Sequence, residues 1–213
     1  MLGIFLDLET TGLDPKKHSV IDLAFVLVDL SSNTFLTTFQ NTIRLPESSW
    51  ERKDPASMRV NGYTWEEVFQ GRDLLEVKNT VVELLTSFKV ERGKAVFICQ
   101  NPSFDRSFFG QIVDVYTQEL LRWPYHWLDL ASMYWTVFCQ SVKEGNREIP
   151  EKMSLSKNEI ACVYQLPPEA EPHRAINGVH HLIACYQAVL KVKFKEKTAS
   201  APFTSPRSVH DQR

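Results

Sequence analysis

The chain has 213 residues, 43% apolar content and a net charge of −2. That length suits one domain with a real core, and the near-neutral charge excludes a protein that coats long nucleic acid by charge alone. No apolar run is long enough to span a membrane, the N-terminus shows no secretory signal, and Cys99, Cys139, Cys162 and Cys185 form no CxxC pair, so the expectation is a cytoplasmic protein with reduced core cysteines.

In chain order, Gly3-Ile4-Phe5-Leu6-Asp7-Leu8-Glu9 reads as a buried strand broken by Thr10-Thr11-Gly12. A loop around Pro15 precedes a second strand, Val20 to Leu30. Ser31-Ser32-Asn33 predicts a hairpin turn into a third strand, Thr34 to Ile43. Leu45 to Met58 reads as irregular, Asn61-Gly62 as a turn, and Thr64 as the cap of a short helix. Apolar spacing predicts a helix over Leu74 to Phe88, then a short strand from Lys94 to Cys99 and a helix from Phe104 to Tyr116 capped by Ser103. Trp127 to Leu130 reads as a last strand, followed by a helix to Cys139, a helix from Ser154 to Val163, and a final helix from His173 to Val192. Three adjacent strands followed by alternating helices and strands predict an α/β fold with a mixed five-stranded sheet. Residues 1–193 would form the domain, and 194–213, rich in Ser, Thr and Pro, a disordered tail, with Pro202-Phe203 as a candidate partner motif.

Asp7 and Glu9 stand two apart on a strand and so share a face. Side-by-side buried carboxylates repel, and a hard divalent ion relieves them; the alternative is that the strand surfaces there. Asp105 falls where a strand gives way to a helix, the place where open α/β sheets bind ligands, or is simply a first-turn acid favoured by the helix dipole. His173 is either structural or a general base suited to neutral pH.

Together these residues resemble the histidine branch of the DEDD exonuclease family, which includes the epsilon proofreading subunit of bacterial DNA polymerase III and ribonuclease T. The motifs are Asp7-Leu8-Glu9-Thr10-Thr11-Gly12, Asn101-Pro102-Ser103-Phe104-Asp105 and His173-Arg174-Ala175-Ile176-Asn177-Gly178-Val179, with Val60-Asn61-Gly62-Tyr63-Thr64 between them. The resemblance implies a ribonuclease H-like fold and 3′–5′ hydrolysis of terminal phosphodiesters in DNA or RNA. It implies two Mg2+ or Mn2+ ions held by Asp7, Glu9 and Asp105, with His173 as base. Thr10, Thr11, Leu13, Asn61 and Asn101 would contact the substrate. The implied partners are nucleic-acid 3′ ends, single-stranded or frayed, and a DNA polymerase subunit.

The sequence departs from the family pattern at Gly178, which stands where the family has a fourth aspartate. That implies impaired or metal-selective hydrolysis, restored by Gly178→Asp, with His181 as a substitute ligand one turn on. The alternative function is a nucleic-acid-binding or polymerase accessory protein of the same fold with little activity.

Overall fold

The computed structural model describes residues 1–196. At its centre is β1 (Leu2–Thr10), whose Ile4-Phe5-Leu6 run is fully buried. So continuous an apolar run needs cover on both faces. β2 (Val20–Asp29) pairs antiparallel with β1, with Glu9 opposite Asp22, and β3 (Thr34–Thr42) pairs antiparallel with β2. The chain then forms α1 (Glu47–Trp50), α2 (Pro55–Asn61), α3 (Trp65–Phe69) and α4 (Leu74–Ser87). β4 (Ala95–Cys99) joins the other edge of β1 in parallel. After α5 (Pro102–Ile112) and α6 (Val115–Leu120), β5 (Trp127–Asp129) joins β4 in parallel. α7 (Leu130–Lys143), α8 (Lys157–Val163) and α9 (Ala175–Leu190) complete the described chain. The sheet order β3-β2-β1-β4-β5 is the mixed sheet that the sequence predicts.

Alternation along β1 splits the core in two. Ile4, Leu6 and Leu8 pack under α4 and α5 with Val77, Val81, Phe108 and Phe109. Phe5 faces the other way, under α7, α8 and α9, with Leu130, Ile160, Val179 and Leu182. By the same alternation Asp7 and Glu9 emerge on the α9 side.

Four sequence expectations need correcting. The segment read as irregular contains two short helices: Asp54 accepts from Ser57 N at 2.9 Å, Pro55 sits at the first helical position, and Gly62 ends α2 at φ 64°. Proline there starts a helix rather than breaking one. The helix expected to reach Tyr116 stops at Ile112, because Asp114 caps a separate helix; Ser103 caps nothing, and Asn101, at φ 57°, precedes Pro102 instead. Of the four free cysteines only Cys99 and Cys185 are buried, and Cys162 is exposed. The chain also stays packed beyond 193. Phe194 meets Phe5 and Phe35 at 5.6 Å between ring centres, and Phe35 N donates to Lys195 O at 2.9 Å. The remainder of the expected tail, including Pro202-Phe203, lies outside the described residues. Among those described, no helix is long and apolar enough to cross a membrane.

Candidate functional site

Glu9 is the last residue but one of β1 and Asp105 lies in the first turn of α5; both are buried. Burial raises the Glu9 carboxyl to about 8, with the charges of Asp7, Asp22 and Glu169 adding to the effect. Burial, then the Asp7 charge, holds Asp105 well above the usual carboxylate range. The ion pairs formed among the described residues include neither Glu9 nor Asp105; the nearby buried cation, Lys157, pairs elsewhere.

Lys157 Nζ lies 3.2 Å from Asp7 Oδ1, 3.1 Å from Glu169 Oε2 and 3.4 Å from Gly178 O. It donates to Asp7 and Gly178 O and forms an ion pair with Glu169. Burial opposes the Lys157 charge, yet Asp7 and Glu169 hold its pKa above the ordinary lysine value. Burial raises Asp7 while Lys157 opposes the rise. At Glu169 burial is outweighed by His181 and Lys157, which bring its carboxyl down to about 2.

Gly178 explains itself in this setting. A Cβ there would fall inside the Asp7 carboxylate and 3.0 Å from Glu169 Oε1. The bare backbone of α9 is the notch that receives Asp7, worth the roughly 1 kcal/mol that a mid-helix glycine loses relative to alanine. His181 does not fill the place of the missing aspartate. Its Nε2 lies 3.1 Å from Pro167 O, and its Nδ1 lies 3.7 Å from Glu169 Oε2, a charge contact rather than a hydrogen bond. Set between Cys185 and Glu169, it is pushed up to about 9.

His173 precedes α9 rather than opening it. Its backbone N donates to Val60 O at 3.2 Å and its Nδ1 lies 3.8 Å from Glu169 Oε1. Asp22 steadies this corner: its Oδ2 accepts from Ala175 N at 3.0 Å and from Tyr63 OH at 2.8 Å, capping α9 from β2. Arg174 lies 3.9 Å over the Tyr63 ring, pairs with Glu67 at 3.0 Å and donates to Asn61 O. A cleft of about 790 Å³ opens beside His173, lined by Ala56, Arg59, Val60, Glu171 and Pro172.

The expected substrate residues divide. Thr10 Oγ1 donates to Gly12 O at 2.7 Å, and Thr11 Oγ1 accepts from Ser19 N at 2.9 Å, so both hydroxyls serve the loop. Asn61 is buried, donating to Thr10 O at 3.0 Å and accepting from Tyr63 N at 3.2 Å. Leu13 is 74% exposed. Asn101 is exposed too, its side chain accepting from Ser103 Oγ at 2.7 Å.

A profile of the Exonuclease family, RNase T type, matches residues 4–186, a stretch that includes Asp7, Glu9, Asp105 and His173. The chain belongs to this exonuclease family. No curated protein matches it. Among solved structures it is similar to zinc-bound E. coli exonuclease I in complex with single-stranded DNA (TM-score 0.70, 18% identity, covering 89% of this chain and 40% of that one). It is also similar to a 3′-exonuclease that recognises the histone mRNA stem-loop (TM-score 0.66, 16% identity, 89% and 81% covered) and to cell-death related nuclease 4 (TM-score 0.65, 15% identity, 89% and 64% covered). At these identities the likeness shows a shared fold. This exonuclease-family chain spans two fifths of the length of exonuclease I.

Family members use divalent ions, and the donors here fit one in kind: they are oxygens, buried, and at Glu9 and Asp105 without a paired cation. As arranged, no group of three or more His, Cys, Asp or Glu side chains among the described residues is set to hold a metal ion. Asp7, one of the expected ligands, is engaged by Lys157. Sequence reasoning missed Lys157, Glu169 and Asp22. Lys157 opens a helix after the cap Ser156, and Glu169 sits in a proline-rich loop, both places where a charge usually meets water. The signal available was Gly178 itself, which leaves Asp7 in want of a neighbour.

Proposed function

We propose that this protein is a metal-dependent 3′–5′ exonuclease of the histidine branch, hydrolysing the terminal phosphodiester of DNA or RNA. The observation that carries the reading is the pair of buried carboxyls, Glu9 and Asp105, beside Asp7 and without an ion-pair partner among the described residues. Leaving two such groups uncompensated costs stability, and their use is to hold a cation. Asp7, Glu9 and Asp105 would hold it. Once bound, such an ion activates a water and steadies charge on the phosphate.

The chain's own side chains do the rest. His173 turns Nδ1 toward Glu169, so Nε2 is left to accept the proton of the attacking water. Glu169 thereby orients the ring. Leu13, exposed at the end of the first motif, offers an apolar face to the terminal base, while Thr10 and Thr11 contribute backbone. Arg59, in the cleft beside His173, is placed to meet the phosphate backbone. The complexes of exonuclease I with single-stranded DNA and of a 3′-exonuclease with an mRNA stem-loop support a 3′ end as the partner.

One observation favours a second reading, an end-binding protein of the same fold with little hydrolysis: Lys157 engages Asp7. The two readings separate in a gel assay with 5′-labelled and 3′-labelled oligonucleotides in Mg2+ or Mn2+. A descending ladder from the 5′-labelled strand, with immediate release of the 3′ label, supports the exonuclease. Binding without shortening supports the second reading. In the first case His173→Ala should slow cleavage by about a hundredfold.

A further inference from the structure

We propose that the Lys157 ammonium is a built-in cation standing in place of a second divalent ion, so that the site takes a single ion on the Glu9 and Asp105 side of Asp7. The inference rests on the reading that Asp7, Glu9 and Asp105 hold a metal ion.

Three features of the structure converge on it. The first is coordination. Nζ donates to Asp7 Oδ1 at 3.2 Å and to Gly178 O at 3.4 Å and pairs with Glu169 Oε2 at 3.1 Å, so three oxygens surround it. The Lys157 side chain is 13% exposed and that of Glu169 is 3% exposed, so this is an interior cation site rather than a surface pair.

The second is shape. Asp7 and Glu169 converge on the bare Cα of Gly178, where any side chain would displace the Asp7 carboxylate. The glycine and the lysine are therefore two halves of one arrangement: the notch admits Asp7, and the ammonium neutralises it there. Both partners of the lysine's own segment are fixed as well. Ser156 caps α8 directly before Lys157, and Asn158 Oδ1 accepts from Glu169 N at 2.9 Å.

The third is exclusion. The Lys157 ammonium already stands on Asp7 Oδ1 and Glu169 Oε2, the oxygens that a second ion would need, and in a buried place where solvent screens weakly its charge opposes another cation there. Those oxygens are taken while Lys157 remains.

The test counts ions directly. Mn2+ is titrated into the full chain without nucleic acid, and bound ions are counted from the loss of the free-Mn2+ electron paramagnetic resonance signal. Wild type should bind one. Lys157→Met should bind two, because Asp7, Glu169 and Gly178 O then share no cation, and Lys157→Arg should bind one, as the charge is kept. Two ions in wild type, or one in a folded Lys157→Met, overturns the inference while leaving the metal-dependent reading standing. No ion in wild type overturns both. Should Lys157→Met be unfolded without metal, Mn2+ should restore its fold with two ions bound, and failure to restore it counts against the proposal.

Discussion

Asp7 and Asp105 are acids of one cluster, and burial raises both. Asp7 shares Lys157 with Glu169 and rests in the notch at Gly178. Asp105, with Glu9, has no such partner among the described residues. On one side the protein supplies its own cation and the charges hold the structure together. On the other the charges wait for a cation from outside and weaken the metal-free fold. Low exposure by itself therefore says little about role; what separates the two sides is whether the chain supplies the cation.

Removing the internal cation should have the largest effect. Lys157→Met leaves two buried carboxylates facing each other and should lower metal-free stability by about 3–5 kcal/mol. Asp105→Asn removes an uncompensated charge and should leave stability unchanged or higher. Urea melts without metal check both. Equal losses in the two variants would mean that the two sides are alike.

A smaller effect is expected at the notch. Gly178→Asp adds a side chain where the Asp7 carboxylate sits and sets a further negative charge beside Glu169. It should cost about 1–3 kcal/mol and restore no activity. From the sequence alone the same substitution reads as a repair; a faster enzyme in Gly178→Asp would show that Asp7 moves out of the notch freely.

How far the sequence reached follows from what kind of interaction each feature needs. The sheet was legible because apolar runs and turn residues state strand identity locally, and the sequence order of β1 to β5 then restricts the topology. The first-motif carboxylates were legible because strand alternation places Asp7 and Glu9 together without knowledge of the rest. Lys157 was not, since nothing near residue 157 distinguishes it from the chain's other basic residues; its role comes from a contact between residues 150 apart. Asp22 was hidden for the same reason, as it caps a helix 153 residues away. The short helices α1 and α2 were not legible because each is too brief to show an apolar period; at α2 the available signal was Asp54 before Pro55, a cap followed by a helix-starting proline.

A pH effect, gradual per pH unit, is confined to the open side. In the metal-free folded protein Glu9 keeps its proton up to about 8, against an ordinary value of 4.5. Between those pH values the folded state binds more protons than the unfolded state at this residue, so stability falls as pH rises. The slope should be at most about 1.4 kcal/mol per pH unit. Glu9→Gln should flatten that part of the profile, and saturating Mg2+ should flatten it in wild type. Melting curves at several pH values compare them, and identical profiles for wild type and Glu9→Gln would remove Glu9 from the open side.

Glu9 and Asp105, the carboxylates left without an internal cation, are the ones on which hydrolysis depends beside Asp7. The most direct measurement of that dependence is the initial rate at which a 5′-labelled single strand is shortened from its 3′ end in saturating Mn2+, for wild type and Asp105→Asn side by side. Wild type should shorten the strand, and Asp105→Asn should do so at a rate at least about a hundredfold lower while melting no lower than wild type. Shortening at an undiminished rate by a well-folded Asp105→Asn would contradict that dependence.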